Sequence, residues 1–283
     1  MVKDNIPSFI VIGTMKGGTS SLHKYLSVHP QVGVSHPKET DFFLDRNEKD
    51  ISWYRECFES DFEVREEVSP NYTKHPAFPG VPKRMFETLP KAQLIYLVRD
   101  PIEREPFHIM CTNWVKRRTS EPIEKAFLPV EDSWYLTPSR YYYQITQYLE
   151  FYPLDSILVI QSERLRRDRQ STVAEIFKFI GVDPDLVLEK KKLRNEYHVS
   201  ANKKKKTAIA SFLTESKAGK NLKKFGKMIV PRKTANQIKK LLWVDVKKPK
   251  LSRNVRLEVE DYLRDDIVKL RELTGKTFPG WSV

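Results

Sequence analysis

The stretch FIVIGTMKGGTSSLHKYL, residues 9–26, constrains the fold of this chain more than any other. Phe9 to Ile12 are apolar without alternation, so a strand built from them has to be covered on both faces. Gly13, Gly17 and Gly18 then punctuate a loop, and Thr19, Ser20 and Ser21 open a helix. Strand, glycine loop and helix in that order suit phosphate binding. Glycines let backbone amides approach an anion, and the helix start favours negative charge. Gly13 and Gly18 have the spacing of the nucleotide loop G-x-x-x-x-G-K-[ST], yet the lysine due after the second glycine is absent and the only lysine is Lys16, inside the loop. On these residues alone, three readings stay open: a glycine turn without a ligand, a damaged nucleoside-triphosphate loop, and a loop for another phosphate donor.

The rest of the chain supplies the sheet that such a loop needs. Apolar runs at 62–66, 94–98 and 156–161, with the short run QVGV ending at Val34, read as further strands. Helical stretches fall near 19–28, 50–58, 102–118, 138–150 and 170–180. This βαβα order predicts a three-layer α/β domain of the P-loop-NTPase-like kind, a central parallel sheet flanked by helices. Near the end, Val255, Val259, Tyr262, Ile267, Leu270 and Leu273 keep helical spacing, with Ser252 as a start signal and Gly275 as a stop. The whole, residues 1–283, reads as one domain.

Charge narrows the partners. The formal net charge is +13, which calls for anionic ligands without choosing among nucleotide, glycan, membrane or nucleic acid. Sixteen Lys or Arg against two acids fall between residues 201 and 250, so the 200–250 segment reads as a basic, loop-rich and mobile insertion rather than a specific nucleic-acid surface. Cys57 and Cys111 stand alone without metal-ligand spacing, which favours a reducing compartment. Only a few polar residues precede the first strand, and the expectation is a cytoplasmic protein with no transmembrane segment.

Two more pieces carry chemistry. In VSHPKETDFF, Lys38 and Glu39 adjoin three residues, Asp41 to Phe43, that could line a pocket. A carboxylate beside a lysine can act as general base for an acceptor hydroxyl, although most such surface pairs are solvated and inert. In LVRDPIER, an apolar strand ends at Arg99, which can grip a phosphate or simply pair with a neighbouring acid. A triphosphatase would need an acidic strand end to help hold magnesium. Asp100 and Glu163 are the carboxylates available for that, but Arg99 leads the first, so a donor held by Lys and Arg without a metal fits better.

Taken in order, these pieces resemble the sulfotransferases that use 3′-phosphoadenosine 5′-phosphosulfate, in particular the heparan sulfate branch and its bacterial relatives. IGTMKGGTSSL is similar to that family's 5′-phosphosulfate loop, PKETDFF to its KE-x-x-FF element, LVRDPIER to its 3′-phosphate strand, and EEVSPNYTKHP to its E-x-[ST]-P-x-Y segment. The stretch 139–165 and the ending VKLRELTGKTFPGW extend the resemblance over nearly the whole chain. It implies that Lys16, Gly17, Gly18, Thr19, Ser20 and Ser21 hold the 5′-phosphosulfate and that Lys16 stabilises the leaving phosphate. It assigns Arg99 to the 3′-phosphate and Glu39 to the role of base. Lys38 orients the sulfuryl group or substrate, and Lys203 and Lys204 belong to a basic loop that closes over the nucleotide. No metal is implied.

Two positions depart from the family's pattern. Phe107 stands where a serine usually joins the arginine on the 3′-phosphate, and a phenyl ring donates no hydrogen bond; His108 is a neighbouring substitute. Val68 stands where heparan-type relatives often carry a lysine that touches an acidic glycan. The expected acceptor is a small molecule, lipid or glycan presenting a hydroxyl, less readily an amine. The competing readings are a magnesium-dependent P-loop kinase or NTPase and a non-catalytic polyanion-binding protein.

Overall fold

A computed structural model describes residues 5–44, 49–59, 61–104, 128–131, 133–185, 204–206, 243–245 and 251–283. Its centre is a parallel sheet of five strands: β1 (Phe9–Gly13), β2 (Val32–Val34), β3 (Val64–Val68), β4 (Gln93–Val98) and β5 (Ile157–Gln161), in the order β2-β3-β1-β4-β5. β1 lies in the middle, with β3 on one side and β4 on the other, so the crossovers leave it in opposite directions. In open α/β sheets a ligand crevice forms at that switch point, beyond the carboxyl ends of the strands. The glycine loop that follows β1 sits there.

Both faces of β1 are buried, as its unbroken apolar run requires. Phe9 and Val11 point into one cluster with Leu22, Tyr25 and Leu26 of helix α1 (Thr19–Leu26), together with Val173, Ile176 and Phe177. Ile10 and Ile12 point into the other, with Met85, Tyr148, Ile267 and Leu270. The chain is therefore three-layered, and each fully buried Leu, Ile or Phe contributes about 1.5–3 kcal/mol.

The remaining helices are α2 (Ile51–Glu56), α3 (Val81–Thr88), α4 (Tyr141–Leu149), α5 (Arg164–Arg167), α6 (Arg169–Phe179) and α7 (Arg253–Thr274). α7 ends as its sequence predicts, with Gly275 in the left-handed region at φ 64°, while Ser252 occupies the cap position without a side-chain cap bond. Its buried face holds Leu263 and Asp266 with Val255, Val259, Ile267 and Leu270, while Tyr262 and Leu273, also read from periodicity, are only half-buried. Among the described residues, no helix is long and apolar enough to cross a membrane.

Several expectations need correction. The strand predicted at 62–66 runs from Val64 to Val68, because Glu66 and Glu67 lie inside it and are wholly buried; a sequence window does not register charged residues as core strand. Helix α3 was not predicted; its Pro82 sits in the first turn, where the missing N–H costs nothing. The helix near 138–150 is a 3₁₀ turn, Thr137–Ser139, followed by α4. Residues 101–104 of the 102–118 stretch are helical, and the remainder lies outside the described residues. Within the basic segment, Lys204–Lys206 (β6) and Trp243–Asp245 (β7) form an antiparallel pair rather than loop, and the residues between them are likewise outside the description.

Candidate active site

The phosphate loop is built from backbone. Gly18 occupies the cap position of α1 at φ 100°, and having no side chain it cannot satisfy the helix's first amides. Ser21 N–H already donates to the Gly18 carbonyl, whereas Thr19 and Ser20 precede any possible intrahelical acceptor. Those amides, the helix dipole and the adjacent Lys16 converge on a place for an anion. Gly17 closes the floor: a β-carbon there would lie 2.8 Å from the Leu97 carbonyl and 2.9 Å from that of Thr14. The cradle fits a phosphate group, and it needs glycine at both positions.

Two arginines hold the loop from the β4 side. Arg99 donates to the Lys16 carbonyl at 3.5 Å, and Arg104, wholly buried, donates to the Met15 carbonyl at 3.1 Å. Arg104 also donates to the Ser139 hydroxyl, and Tyr141 of α4 donates to the Arg99 carbonyl at 2.7 Å. Lys16 takes a left-handed conformation, φ 64°, between these anchors. Arg99 thus stands at the loop, a contact its expected role on the 3′-phosphate did not include, and Arg104, given no role from the sequence, is a second loop contact.

The Lys38–Phe43 loop meets the phosphate loop from the other side. Lys38 Nζ donates to Glu39 Oε1 at 2.8 Å and to Ser20 Oγ at 3.4 Å. Glu39 is the more open of the pair, its side chain 44% exposed against 21% for Lys38. A half-exposed carboxylate bridged by an ammonium to the hydroxyl at a phosphate loop can take a proton from an incoming nucleophile. Of the residues expected to line a pocket, Phe43 is buried and Phe42 stacks on Tyr54 with ring centroids 4.1 Å apart.

Beneath this meeting point lie two buried carboxylates on opposite faces of β3. Glu66 accepts from His23 of α1 at 3.0 Å, and burial pushes its carboxyl above the usual range against the pull of that histidine. Its other oxygen is buried without a hydrogen-bond partner among the described residues. Glu67 accepts from Thr40 at 2.5 Å, Tyr72 at 2.6 Å, Ser69 at 2.7 Å and Tyr54; burial raises its carboxyl too, against these four donors.

Beside the site, an open cavity of about 240 Å³ is lined by Lys74, Pro76, Ala77, Glu131, Trp134 and Pro138, among others. Lys74 joins it to the two loops. Its ammonium contacts Met15 Sδ at 3.5 Å and donates to Asn71 Oδ1 at 2.7 Å, and Asn71 Nδ2 donates to Asp41 Oδ2 at 2.9 Å. Trp134 is 60% exposed and presents its ring to solvent there. Helix α4 fixes this wall, since Gln144 exchanges hydrogen bonds with the backbone of His75 at 2.7 and 2.9 Å.

Of the other predicted residues, Ser21 sits in the first turn of α1 and Lys204 opens β6, whose side chains are not described; Lys203, Phe107, His108 and Cys111 lie outside the described residues. Asp100 and Glu163 serve structure. Asp100 caps residues 102 and 103 and accepts from Ser282, while Glu163 accepts from Asp100 N–H and the Trp281 indole. Among the described residues, no group of three or more His, Cys, Asp and Glu could hold a metal ion. Cys57 is a buried free thiol.

Fold and site together define a P-loop-like α/β protein in which a glycine loop meets a lysine–glutamate pair. A profile of the sulfotransferase domain matches residues 7–237, and the chain belongs to that family. It is similar to the membrane-associated sulfotransferase kil1 of Dictyostelium discoideum, 39% identical over 43% of this chain and 26% of that protein. It is also similar to the human bifunctional heparan sulfate N-deacetylase/N-sulfotransferase 2, 28% identical over 65% of this chain and 23% of that protein. The mouse bifunctional heparan sulfate N-deacetylase/N-sulfotransferase 1 is 26% identical over 98% of this chain and 31% of its own. The chain therefore spans about a quarter to a third of the length of these curated relatives. A sulfotransferase structure from Alicyclobacillus acidocaldarius superposes over 96% of both chains with a TM-score of 0.65 at 19% identity, which shows a shared P-loop-NTPase-like fold.

Proposed function

We propose that this sulfotransferase moves the sulfuryl group of 3′-phosphoadenosine 5′-phosphosulfate onto the hydroxyl of a compact, ring-bearing acceptor, with residues 1–283 acting as one domain. The observation that carries this reading is Lys38, which ties Ser20 of the phosphate loop to Glu39 within 3.4 and 2.8 Å. A base so placed can face a sulfuryl group whose phosphate occupies the cradle. The acceptor oxygen attacks sulfur in line and gives its proton to Glu39. The bond between sulfur and the bridging phosphate oxygen breaks, and Lys16 with the α1 amides receives the charge that develops on that oxygen. Arg99 takes the 3′-phosphate, Lys38 orients the transferring group, and no metal takes part. Lys203 and Lys204 would add cations over the nucleotide.

The acceptor follows from the cavity beside Lys74. Pro76, Pro138 and the exposed face of Trp134 suit a ring, and about 240 Å³ suits a small one. Glu131 on its rim would repel a polyanion. Val68, in the position where heparan-type relatives often have a lysine, is wholly buried. The similarity to heparan sulfate N-deacetylase/N-sulfotransferases makes an amine the second reading. A cytoplasmic setting agrees with the buried thiol of Cys57.

Calorimetry separates this from the kinase and polyanion-binding readings. Adenosine 3′,5′-bisphosphate should bind in the presence of EDTA and more tightly than ATP with magnesium; preference for ATP with magnesium sinks the proposal, and binding of neither favours the polyanion reading. Labelled donor is then offered with 4-nitrophenol, aniline and a de-N-sulfated heparan oligosaccharide. The phenol should be the best acceptor.

A further inference from the structure

We propose that Glu67 is a positioning residue for sulfuryl transfer: its carboxylate is the common acceptor that holds the backbone of residues 41–43, and through it the neighbouring Glu39, against the phosphate loop. This rests on the reading of Glu39 as base.

The direction of the hydrogen bonds makes the case. Three successive backbone amides of the loop each donate to a hydroxyl: Asp41 N–H to Ser69 Oγ at 3.1 Å, Phe42 N–H to Thr40 Oγ1 at 3.2 Å, and Phe43 N–H to Tyr72 OH at 3.2 Å. A hydroxyl has one proton to donate. In all three cases that proton goes to Glu67 Oε1, at 2.7, 2.5 and 2.6 Å. Tyr54 donates to the other oxygen. Every relay runs one way, from loop amide through hydroxyl to carboxylate, and only an acceptor can terminate them. Arg84 of α3 completes the hold by donating to the Phe43 carbonyl at 2.9 and 2.8 Å.

Glu67 takes no direct part in the chemistry. It is fully buried, with three hydroxyls crowding Oε1 and the Tyr54 hydroxyl on Oε2. Its effect is exerted two or three residues away. Thr40, the first relay hydroxyl, adjoins Glu39, so a slack loop would let the base drift from the acceptor oxygen, and general-base catalysis is steep in that geometry. Glu66, on the opposite face of β3, accepts from His23, and among the described residues no hydrogen bond links its side chain to this loop's backbone.

The test resolves the relays one by one. Amide hydrogen exchange is measured by NMR on the full chain saturated with adenosine 3′,5′-bisphosphate. Ser69→Ala should speed exchange at Asp41, Thr40→Val at Phe42 and Tyr72→Phe at Phe43, each about tenfold, whereas Glu67→Gln should speed all three while residues 9–26 stay protected. In steady-state transfer to 4-nitrophenol, Glu67→Gln should lower kcat about tenfold with bisphosphate affinity kept within about twofold. Unchanged protection at residues 41–43 in Glu67→Gln overturns the hold. Released amides with wild-type kcat per bisphosphate-binding site overturn the link to catalysis. A Glu39→Gln arm distinguishes the two failures: if that variant turns over normally, it is the base assignment that has failed. The exchange measurement needs no acceptor, and should Glu67→Gln not fold, Thr40→Val and Ser69→Ala leave the carboxylate in place and carry the test.

Discussion

The phosphate loop and the Lys38–Phe43 loop meet at the contact between Ser20 and Lys38, yet they are held by opposite means. The first is backbone packed on backbone, with Gly17 against the Leu97 carbonyl and arginines gripping the carbonyls of Met15 and Lys16. The second is suspended from side chains that arrive from distant segments: Ser69, Tyr72, Glu67 and Arg84. A donor shared by a whole family can be bound by main-chain amides, which every sequence has. An acceptor-facing base must be aimed, and aiming uses side chains that can vary from chain to chain. The comparison also explains where each loop is fragile, the one to any added atom and the other to loss of a hydroxyl.

Four changes would break or sharpen this contrast. The largest effect is expected from Glu39→Gln, which should cut kcat by about 10²–10⁴-fold and leave bisphosphate binding intact, as calorimetry with single-turnover assays would show. Next is Asp266→Asn. Asp266 of α7 accepts from the amides of Tyr142 and Tyr143 at 2.8 and 2.9 Å, capping α4 from another helix, and burial raises its pKa from 3.8 to about 6. A carboxyl raised on folding favours the fold in its neutral form, so that contribution is full below the unfolded value and fades as pH rises through the folded one. Relative to Asp266→Asn, the wild-type chain should lose up to about 3 kcal/mol of stability between pH 4 and pH 7, measurable by urea titration at each pH. A flat difference would mean that the side-chain wall is not under this control.

On the donor side, Gly17→Ala inserts a carbon 2.8 Å from a carbonyl oxygen. The loop must shift, weakening bisphosphate binding by about 1–3 kcal/mol, roughly tenfold or more, with kcat at saturation less affected. An unchanged Kd would show that the cradle is less rigid than its packing implies. Smallest is Trp134→Ala: KM for 4-nitrophenol should rise about fivefold with donor affinity untouched, the loss of one aromatic contact. If the heparan oligosaccharide instead becomes the weaker substrate in that variant, the cavity serves a glycan.

Much of this architecture was legible. The apolar run Phe9–Ile12, glycines 13, 17 and 18 and the hydroxyls after them predict a strand, loop and helix, because an all-round apolar strand has only one place to go and glycine alone tolerates that loop. Lys16, Lys38, Glu39 and Arg99 are readable as candidate site residues, and the structure brings Lys38 and Arg99 against the same glycine loop, Lys38 at Ser20 and Arg99 at the Lys16 carbonyl. Arg104, Glu66 and Glu67 were not given roles, since a charged residue in a sequence window looks the same whether it is solvated or buried. The signal for Glu67 was present in part: four hydroxyl-bearing residues, Thr40, Tyr54, Ser69 and Tyr72, flank it in sequence, but nothing local says that their protons point to one carboxylate.

The sequence by itself determined the layered sheet and the phosphate cradle, because both follow from local periodicity and from the steric freedom of glycine. Only the tertiary structure decided which carboxylates are absorbed into the fold and which stays open. Asp100 and Glu163 are absorbed by the segment around Trp281 and Ser282, Glu67 by four hydroxyls, and Glu39 alone of these is left half-exposed beside Lys38 and the loop. That choice depends on burial and on the direction of hydrogen bonds between residues far apart in the chain, and these exist only once the chain has folded.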